Sequence, residues 1–383
     1  MSSVAAAASR RLGTRAFASS SSPPSTRKTK AADPSTSAEA HIKIPDFLRR
    51  HGQFNPVLCE REKSYGNFPT MQKMTSLYFD RGGKMFRPTI TLLMASAVNQ
   101  EVAARRGQPP PSDDVTENQA KIAMIAEMIH VASLVHDDVI DESYTRRGKT
   151  SVNGLWGNKM AVLAGDFILA RATQALCEIG EPRVIATMAK IIEDLVMGEF
   201  LQMSPALKGK GVLSREDHLS DRWHLYIDKS KRKTASLFAN ACRSVAMLAD
   251  PTDNRLIQSA GFYGEDLGLA FQLIDDAIDY EVDEGEEGDV GKPIGVDLEL
   301  GLLTGPILCT AQTEHHLTEL LARGRSSNEI RKIVRDSGAC ERTRDIAKDY
   351  TETAVAFAEE MRTSNGAKEA LVNLALSQLN RKS

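Results

Sequence analysis

At 383 residues, with 42% apolar, 26% charged and 5% aromatic side chains, the chain is long enough for one large or two ordinary globular domains, and wholesale disorder and collagen-like structure are excluded. No uncharged apolar window of about 18 residues occurs, which argues against a transmembrane helix though not against a peripheral membrane contact. The near balance of 48 Lys+Arg and 51 Asp+Glu argues against nucleic acid as the main partner.

In chain order, residues 1–32 come first, with six basic residues (Arg10, Arg11, Arg15, Arg27, Lys28, Lys30), many Ala and Ser, and no acid before Asp33. This is the composition of a mitochondrial transit peptide, with a basic amphipathic helix expected from about Val4 to Phe17. Residues 1–40 are therefore expected to be leader and linker. No Ser/Gly/Pro-rich linker interrupts residues 45–383, so they should form one large all-α domain. Prolines are missing from 112–181 and from 307–383, which suits long helices. Breaks are predicted at Arg106–Asp114, Gly180–Pro182, Pro205–Gly211, Asp250–Asp253 and Glu284–Pro293. Ile191, Ile192, Leu195, Val196, Phe200 and Met203 recur at helical spacing with Glu193, Asp194 and Glu199 interleaved, and no strand is predicted. Cys59, Cys177, Cys242, Cys309 and Cys340 lie far apart, fitting neither a disulfide framework nor a zinc site.

The chemistry is concentrated in a duplicated pattern. Residues 134–141 read Leu-Val-His-Asp-Asp-Val-Ile-Asp and residues 273–279 read Leu-Ile-Asp-Asp-Ala-Ile-Asp. At 3.6 residues per turn, Asp137, Asp138 and Asp141 share one helix face, and Asp275, Asp276 and Asp279 repeat the arrangement. Grouped carboxylates in apolar helices repel and are costly to desolvate, so a cation is expected between them. Hard oxygen donors point to Mg²⁺ shared with substrate phosphates. Cations for those phosphates stand nearby: Lys84 and Arg87 in Gly82-Gly83-Lys84-Met85-Phe86-Arg87, the pair Arg146-Arg147, the run from Lys229 through Lys233 to Thr234, and Lys292.

Across residues 75–310 the chain resembles the trans-isoprenyl diphosphate synthases, in particular mitochondrial long-chain polyprenyl (solanesyl/decaprenyl) diphosphate synthases of ubiquinone biosynthesis. The resemblance is carried in order by residues 82–88, 126–141, 146–149, 162–169, 198–203, 233–237, 268–279 and 291–306. It implies an all-α bundle of the isoprenoid synthase type, with the aspartate clusters facing each other across a central apolar cavity. It implies that Asp137, Asp138, Asp141, Asp275, Asp276 and Asp279 hold about three Mg²⁺ ions on an allylic diphosphate. Arg146, Lys233 and Lys292 match positions that contact that diphosphate, farnesyl or geranylgeranyl. Lys84, Arg87, His130 and Arg147 match those that hold isopentenyl diphosphate, and Thr234 and Gln272 match polar groups facing the reacting carbons. Ile129, Ala132 and Ser133, before the first cluster, match positions that set product length. Their small Ala and Ser side chains imply a long product, and Ala132→Tyr should shorten it. The family also implies a homo-oligomer, or a heteromer in which this chain, having both clusters, is the catalytic subunit beside a non-catalytic one. The second Asp-Asp-x-x-Asp separates this pattern from a class I terpene cyclase. Two segments depart from the family: Lys229–Arg232, which puts local helix packing in doubt, and the acidic stretch after Asp279, read as a loop over the site.

Overall fold

A computed structural model describes residues 69–79, 85–109, 111, 114–146, 148–207, 216–281, 301–314, 317–322, 327–362 and 366–381. The leader, Lys84, Arg147, Lys292 and the acidic stretch beyond Glu281 lie outside the described residues.

The helices are α1 (Pro69–Phe79), α2 (Phe86–Arg105), α3 (Glu117–Ile140), α4 (Val152–Trp156), α5 (Asn158–Ile179), α6 (Pro182–Met203), α7 (Glu216–Ser230), α8 (Ser236–Ala249), α9 (Asn254–Glu281), α10 (Gly305–Thr313), α11 (Leu317–Ala322), α12 (Ser327–Asp336), α13 (Ala339–Glu359) and α14 (Gly366–Gln378). The one sheet among the described residues is a short hairpin, β1 (Thr145–Arg146) paired antiparallel with β2 (Lys149–Thr150).

Local chemistry places the ends. Thr116 and Gln119 form a reciprocal capping box at the start of α3, satisfying donors that the first helical turn cannot. Gly180, left-handed at φ 74°, ends α5, and Pro182 opens α6, the asymmetry expected of those two residue types. The break after α8 falls at Asp250–Asp253, where Asp253 accepts the Leu256 amide at 2.9 Å.

α8 is the centre of the bundle, touching α2, α3, α6 and α9, while α9 also packs along α13. The α8/α9 contact is close enough that a Cβ on Gly264 would lie 2.5 Å from the Phe238 carbonyl oxygen, so only glycine fits there. Two cores result. The larger gathers α2, α3, α5, α8, the first half of α9 and α14. The smaller gathers α7, the second half of α9, α10 and α12. Each fully buried aliphatic side chain contributes about 1.5–3 kcal/mol.

Two expectations are corrected here. The apolar series on α6 does not bury as one stripe: Ile191 is buried, Ile192 and Leu195 pack against the core, and Val196, Phe200 and Met203 face solvent, Phe200 at 62% exposure. The interleaved Asp194 and Glu199 turn inward instead, because their partners stand on the neighbouring chain segment. The doubt about Lys229–Arg232 is resolved as well. α7 passes into α8 without a break, through a five-residue π turn, Lys231–Ala235, which absorbs the misfit as a bulge of the kind often found at functional sites.

α5 is, among the described residues, the one helix whose length and composition would suffice to cross a membrane, with 33% of its apolar window buried. It packs on α3 and leaves Val162 and Leu163 outside.

Candidate active site

Both aspartate clusters lie at the C-terminal ends of long helices. Asp137 and Asp138 occupy the last turn of α3 with Asp141 as its cap, and Asp275, Asp276 and Asp279 precede the end of α9. Neither last turn contains a basic residue of its own. Carboxylates there also meet the negative end of the helix dipole, so the clusters need counter-charge from elsewhere.

In the first cluster the middle carboxylate is taken up by the protein. Asp138 is 1% exposed and accepts from Arg146 Nε at 2.9 Å and Nη2 at 2.7 Å and from the Tyr78 hydroxyl. The hairpin brings Arg146 back, turning at Gly148 with φ 68°. Burial works against the Arg146 charge, but the Asp138 bonds outweigh it and the guanidinium is held above its usual pKa. Burial, then Asp138, raises the Tyr78 phenol. The main-chain oxygen of Asp138 accepts from Asn153 at 3.0 Å. Asp137 and Asp141 are half-buried.

The second cluster repeats the design with different donors. Asp276 is 4% exposed and accepts from the Tyr226 hydroxyl at 2.7 Å, Gln272 Nε2 at 2.7 Å and the Gly305 amide at 3.3 Å. Burial, then Asp276, raises the Tyr226 phenol well above its usual range. Arg331 and Arg335 of α12 donate to the main-chain oxygens of Asp279, Tyr280 and Glu281, the closest at 2.5 Å, supplying the end of α9 with the cations its own sequence lacks. Asp275 pairs with Arg381 at 2.9 Å. Burial pushes the Asp275 carboxyl up to about 6, against the opposing pull of Arg381 and Arg87.

The three carboxylates of a cluster therefore do not converge, and among the described residues no group of three or more His, Cys, Asp or Glu side chains is placed to hold a metal ion. Each cluster has an outer pair of half-buried carboxylates beside a locked middle residue. Such a pair suits Mg²⁺, which takes one or two carboxylates and fills its shell with water and substrate phosphate oxygens.

The π turn joins the clusters. Lys233 lies within the fields of Asp137 and Asp141, which with Glu199 overcome the effect of burial and raise its pKa. The next residue, Thr234, donates to Gln272 Oε1 at 2.6 Å, and Gln272 in turn donates to Asp276. One bulge thus presents a cation to the first cluster and a hydroxyl to the second.

At the start of α2, Met85 holds a left-handed backbone, φ 46°, a conformation costing about 1–2 kcal/mol for a residue with a Cβ. It aims Phe86 and Arg87 into the bundle. The Arg87 guanidinium lies 5.4 Å from the Phe238 ring centre and Phe86 stacks on Phe271 at 5.3 Å. His130 is half-buried about 10.5 Å back along α3 from Asp137. Ile129 and Ala132 are buried in the larger core, and Ser133 donates to the His130 carbonyl at 2.8 Å.

Sequence reasoning missed Tyr78, Tyr226, Glu199, Gln202 and Arg381. A single tyrosine carries no signal of its own, whether in α1 or in the largely polar α7, and Arg381 stands 106 positions from the aspartate it meets. Gln202 was visible only as part of a resembling block, and Glu199 otherwise only as an acid interleaved in the apolar series of α6. A cavity of 220 Å³ lies elsewhere, lined by Arg105, Arg255, Ser259 and Glu360. It is about 30 Å along α9 from Asp275, and its arginines pair with Glu101, Asp253 and Glu360.

A family model described as polyprenyl synthetase matches residues 68–337. The all trans-polyprenyl-diphosphate synthase PDSS1 of Mus musculus is 40% identical over 315 residues, covering 81% of this chain and 72% of that protein. The mitochondrial solanesyl-diphosphate synthase 1 of Oryza sativa subsp. japonica is 38% identical over 316 residues, 78% of this chain and 68% of its own. Among solved structures, a polyprenyl synthase from Caulobacter crescentus CB15 complexed with calcium and isoprenyl diphosphate superposes with a TM-score of 0.70 at 26% identity, covering 91% of this chain and 97% of that one.

Proposed function

The chain belongs to the polyprenyl synthetase family, and on that footing we propose that it is a long-chain trans-polyprenyl diphosphate synthase, a prenyltransferase supplying the side chain of ubiquinone. It adds successive isopentenyl diphosphate units to an allylic diphosphate. The observation that carries this reading is the pair of aspartate clusters, each with its middle carboxylate held by buried donors and each reached by one π turn through Lys233 or Thr234 and Gln272.

Asp137 and Asp141 on one side, and Asp275 and Asp279 on the other, would hold the metal ions, about three by family resemblance. A Mg²⁺ ion held there would supply charge neutralisation for the departing diphosphate. Asp138 and Asp276 fix the two helix ends so that the outer carboxylates keep their spacing. Lys233 donates to the allylic diphosphate, joined by Arg146 and by Lys292 of the segment outside the described residues. Arg87 and His130, with Lys84 and Arg147 from outside the described residues, hold isopentenyl diphosphate. Ionisation of the allylic C–O bond leaves a carbocation, and the π electrons of the isopentenyl double bond attack it. A proton then leaves the new chain, which is five carbons longer by the chemistry of the added unit. Thr234 and Gln272 face the reacting carbons. Ile129, Ala132 and Ser133 line the path of the growing tail.

Residues 1–40 act as a mitochondrial leader, placing the enzyme in the matrix or at the inner-membrane periphery, and residues 45–383 form the synthase domain. A second chain, a copy or a non-catalytic subunit, covers exposed apolar side chains such as Phe200 on α6 and Leu163 on α5. The test is incubation of the chain lacking its leader with Mg²⁺, farnesyl diphosphate and labelled isopentenyl diphosphate, followed by separation of products by length. A ladder of long polyprenyl products is expected. Absence of any product, alone and with a non-catalytic subunit added, overturns the reading.

A further inference from the structure

Lys233 lies in a fitted cradle on α6. Its ammonium donates to Glu199 and, at 3.2 Å, to Gln202 Oε1, while Gln202 Nε2 is 3.4 Å from the other Glu199 oxygen. Beneath the lysine stem stands Gly198, where a Cβ would lie 2.6 Å from Lys233 Cγ and 3.2 Å from its main-chain nitrogen. One turn earlier, Asp194 accepts from Ser236 at 2.6 Å and pairs with Arg232 at 3.4 Å, which fixes the register of α6 against the π turn. Gly198, Glu199 and Gln202 therefore meet one side chain from below and from two sides.

The electrostatics explain why a long, flexible lysine needs holding. Asp137 and Asp141 both act on its charge. An unrestrained ammonium would swing toward those carboxylates and occupy the place of the cations they are there to bind. Glu199 and Gln202 take two of its three N–H donors, and the third remains for a phosphate oxygen.

We propose that Glu199 and Gln202 are positioning residues that hold the Lys233 ammonium off the first aspartate cluster and aim it at the allylic diphosphate. The proposal rests on the reading of Lys233 as a contact of that diphosphate. The alternative is an ion pair that merely joins α6 to the π turn.

A double-mutant cycle separates the two. Binding of a non-ionising thiolo analogue of farnesyl diphosphate is measured with Mg²⁺, alongside steady-state kinetics and thermal melting, for Glu199→Gln, Lys233→Met and their combination. Glu199→Gln should weaken analogue binding by about tenfold and lower kcat, with melting unchanged and the KM for isopentenyl diphosphate within about twofold of the parent. In the Lys233→Met background it should add nothing further. Gln202→Glu in the Glu199→Gln background, which returns a carboxylate to the cradle, should restore part of the loss. An equal loss in both backgrounds overturns the proposal in favour of the ion-pair role, as does intact binding in Glu199→Gln where Lys233→Met binds weakly. If Lys233→Met itself binds the analogue normally, the reading of Lys233 fails first and the positioning role fails with it.

Discussion

The two aspartate clusters share a spacing and a logic but not a source of counter-charge. At the end of α3 the buried carboxylate of Asp138 meets a guanidinium only eight positions away, Arg146, brought back by a hairpin. At the end of α9 the equivalent Asp276 meets, among the described residues, neutral donors: a phenol 50 positions away, a carboxamide on its own helix and a main-chain amide. Cations at the second site go instead to the outer Asp275, through Arg381, and to the helix end, through Arg331 and Arg335. Arg381 also lies 4.3 Å from the Phe271 ring centre, and its carbonyl accepts from Arg344 at 3.3 Å. The cation that meets the first middle carboxylate is thus local in sequence, although its phenol, Tyr78, stands 60 positions away, whereas the second site draws its cations from the C-terminal half. A buried charge can be stabilised by a neighbouring ion or by several dipoles, and each has its own mode of failure.

The largest effects should come from the outer carboxylates, where the clusters are expected to behave alike. Asp137→Ala and Asp275→Ala should each lower kcat/KM about a thousandfold, because a charge pair near 4 Å is worth about 4 kcal/mol at an effective dielectric of 20. Melting temperature should hardly change, and a variant that unfolds instead would assign its aspartate to the scaffold. The middle residues should separate the sites. Arg146→Leu strands a buried carboxylate and should destabilise the protein by about 3–5 kcal/mol. Tyr226→Phe removes one of several neutral donors and should cost only about 1–3 kcal/mol. Denaturant unfolding of the two variants measures the contrast, and equal losses would mean that the difference in donors has no energetic meaning. Ala132→Tyr acts on the α3 side alone. It should shorten the product ladder at a packing cost of about 1–3 kcal/mol, and unchanged product length would remove Ala132 from the path of the tail. The smallest effect should follow Arg381→Ala, since a partly exposed ion pair contributes about 0–1 kcal/mol. Its signature is local: faster proteolytic trimming of the last residues, with global melting unchanged.

Much of this arrangement was legible in advance. The breaks at Gly180–Pro182 and Asp250–Asp253 were readable because glycine, proline and aspartate act on backbone within a turn of themselves. The outer aspartates of each cluster were readable because helical spacing puts i and i+4 on one face. What that spacing did not reveal is that the carboxylate between them would be withdrawn. On α6 the same rule gave a misleading picture, since Val196 and Phe200 have helical spacing yet face solvent. Which side of an amphipathic helix is the inside depends on what packs against it, and here Lys233 and Ser236 draw Glu199 and Asp194 inward.

The sequence by itself determined the helical class, several of the places where helices stop, and the doubled carboxylate pattern, because these depend on residues a few positions apart. Tertiary structure alone decided which aspartates are locked by buried donors, where Lys233 is held, and that a tail arginine reaches Asp275. Those outcomes depend on desolvation and on donors arriving from distant segments, and both exist only once α6, α8, α9 and α13 have packed together.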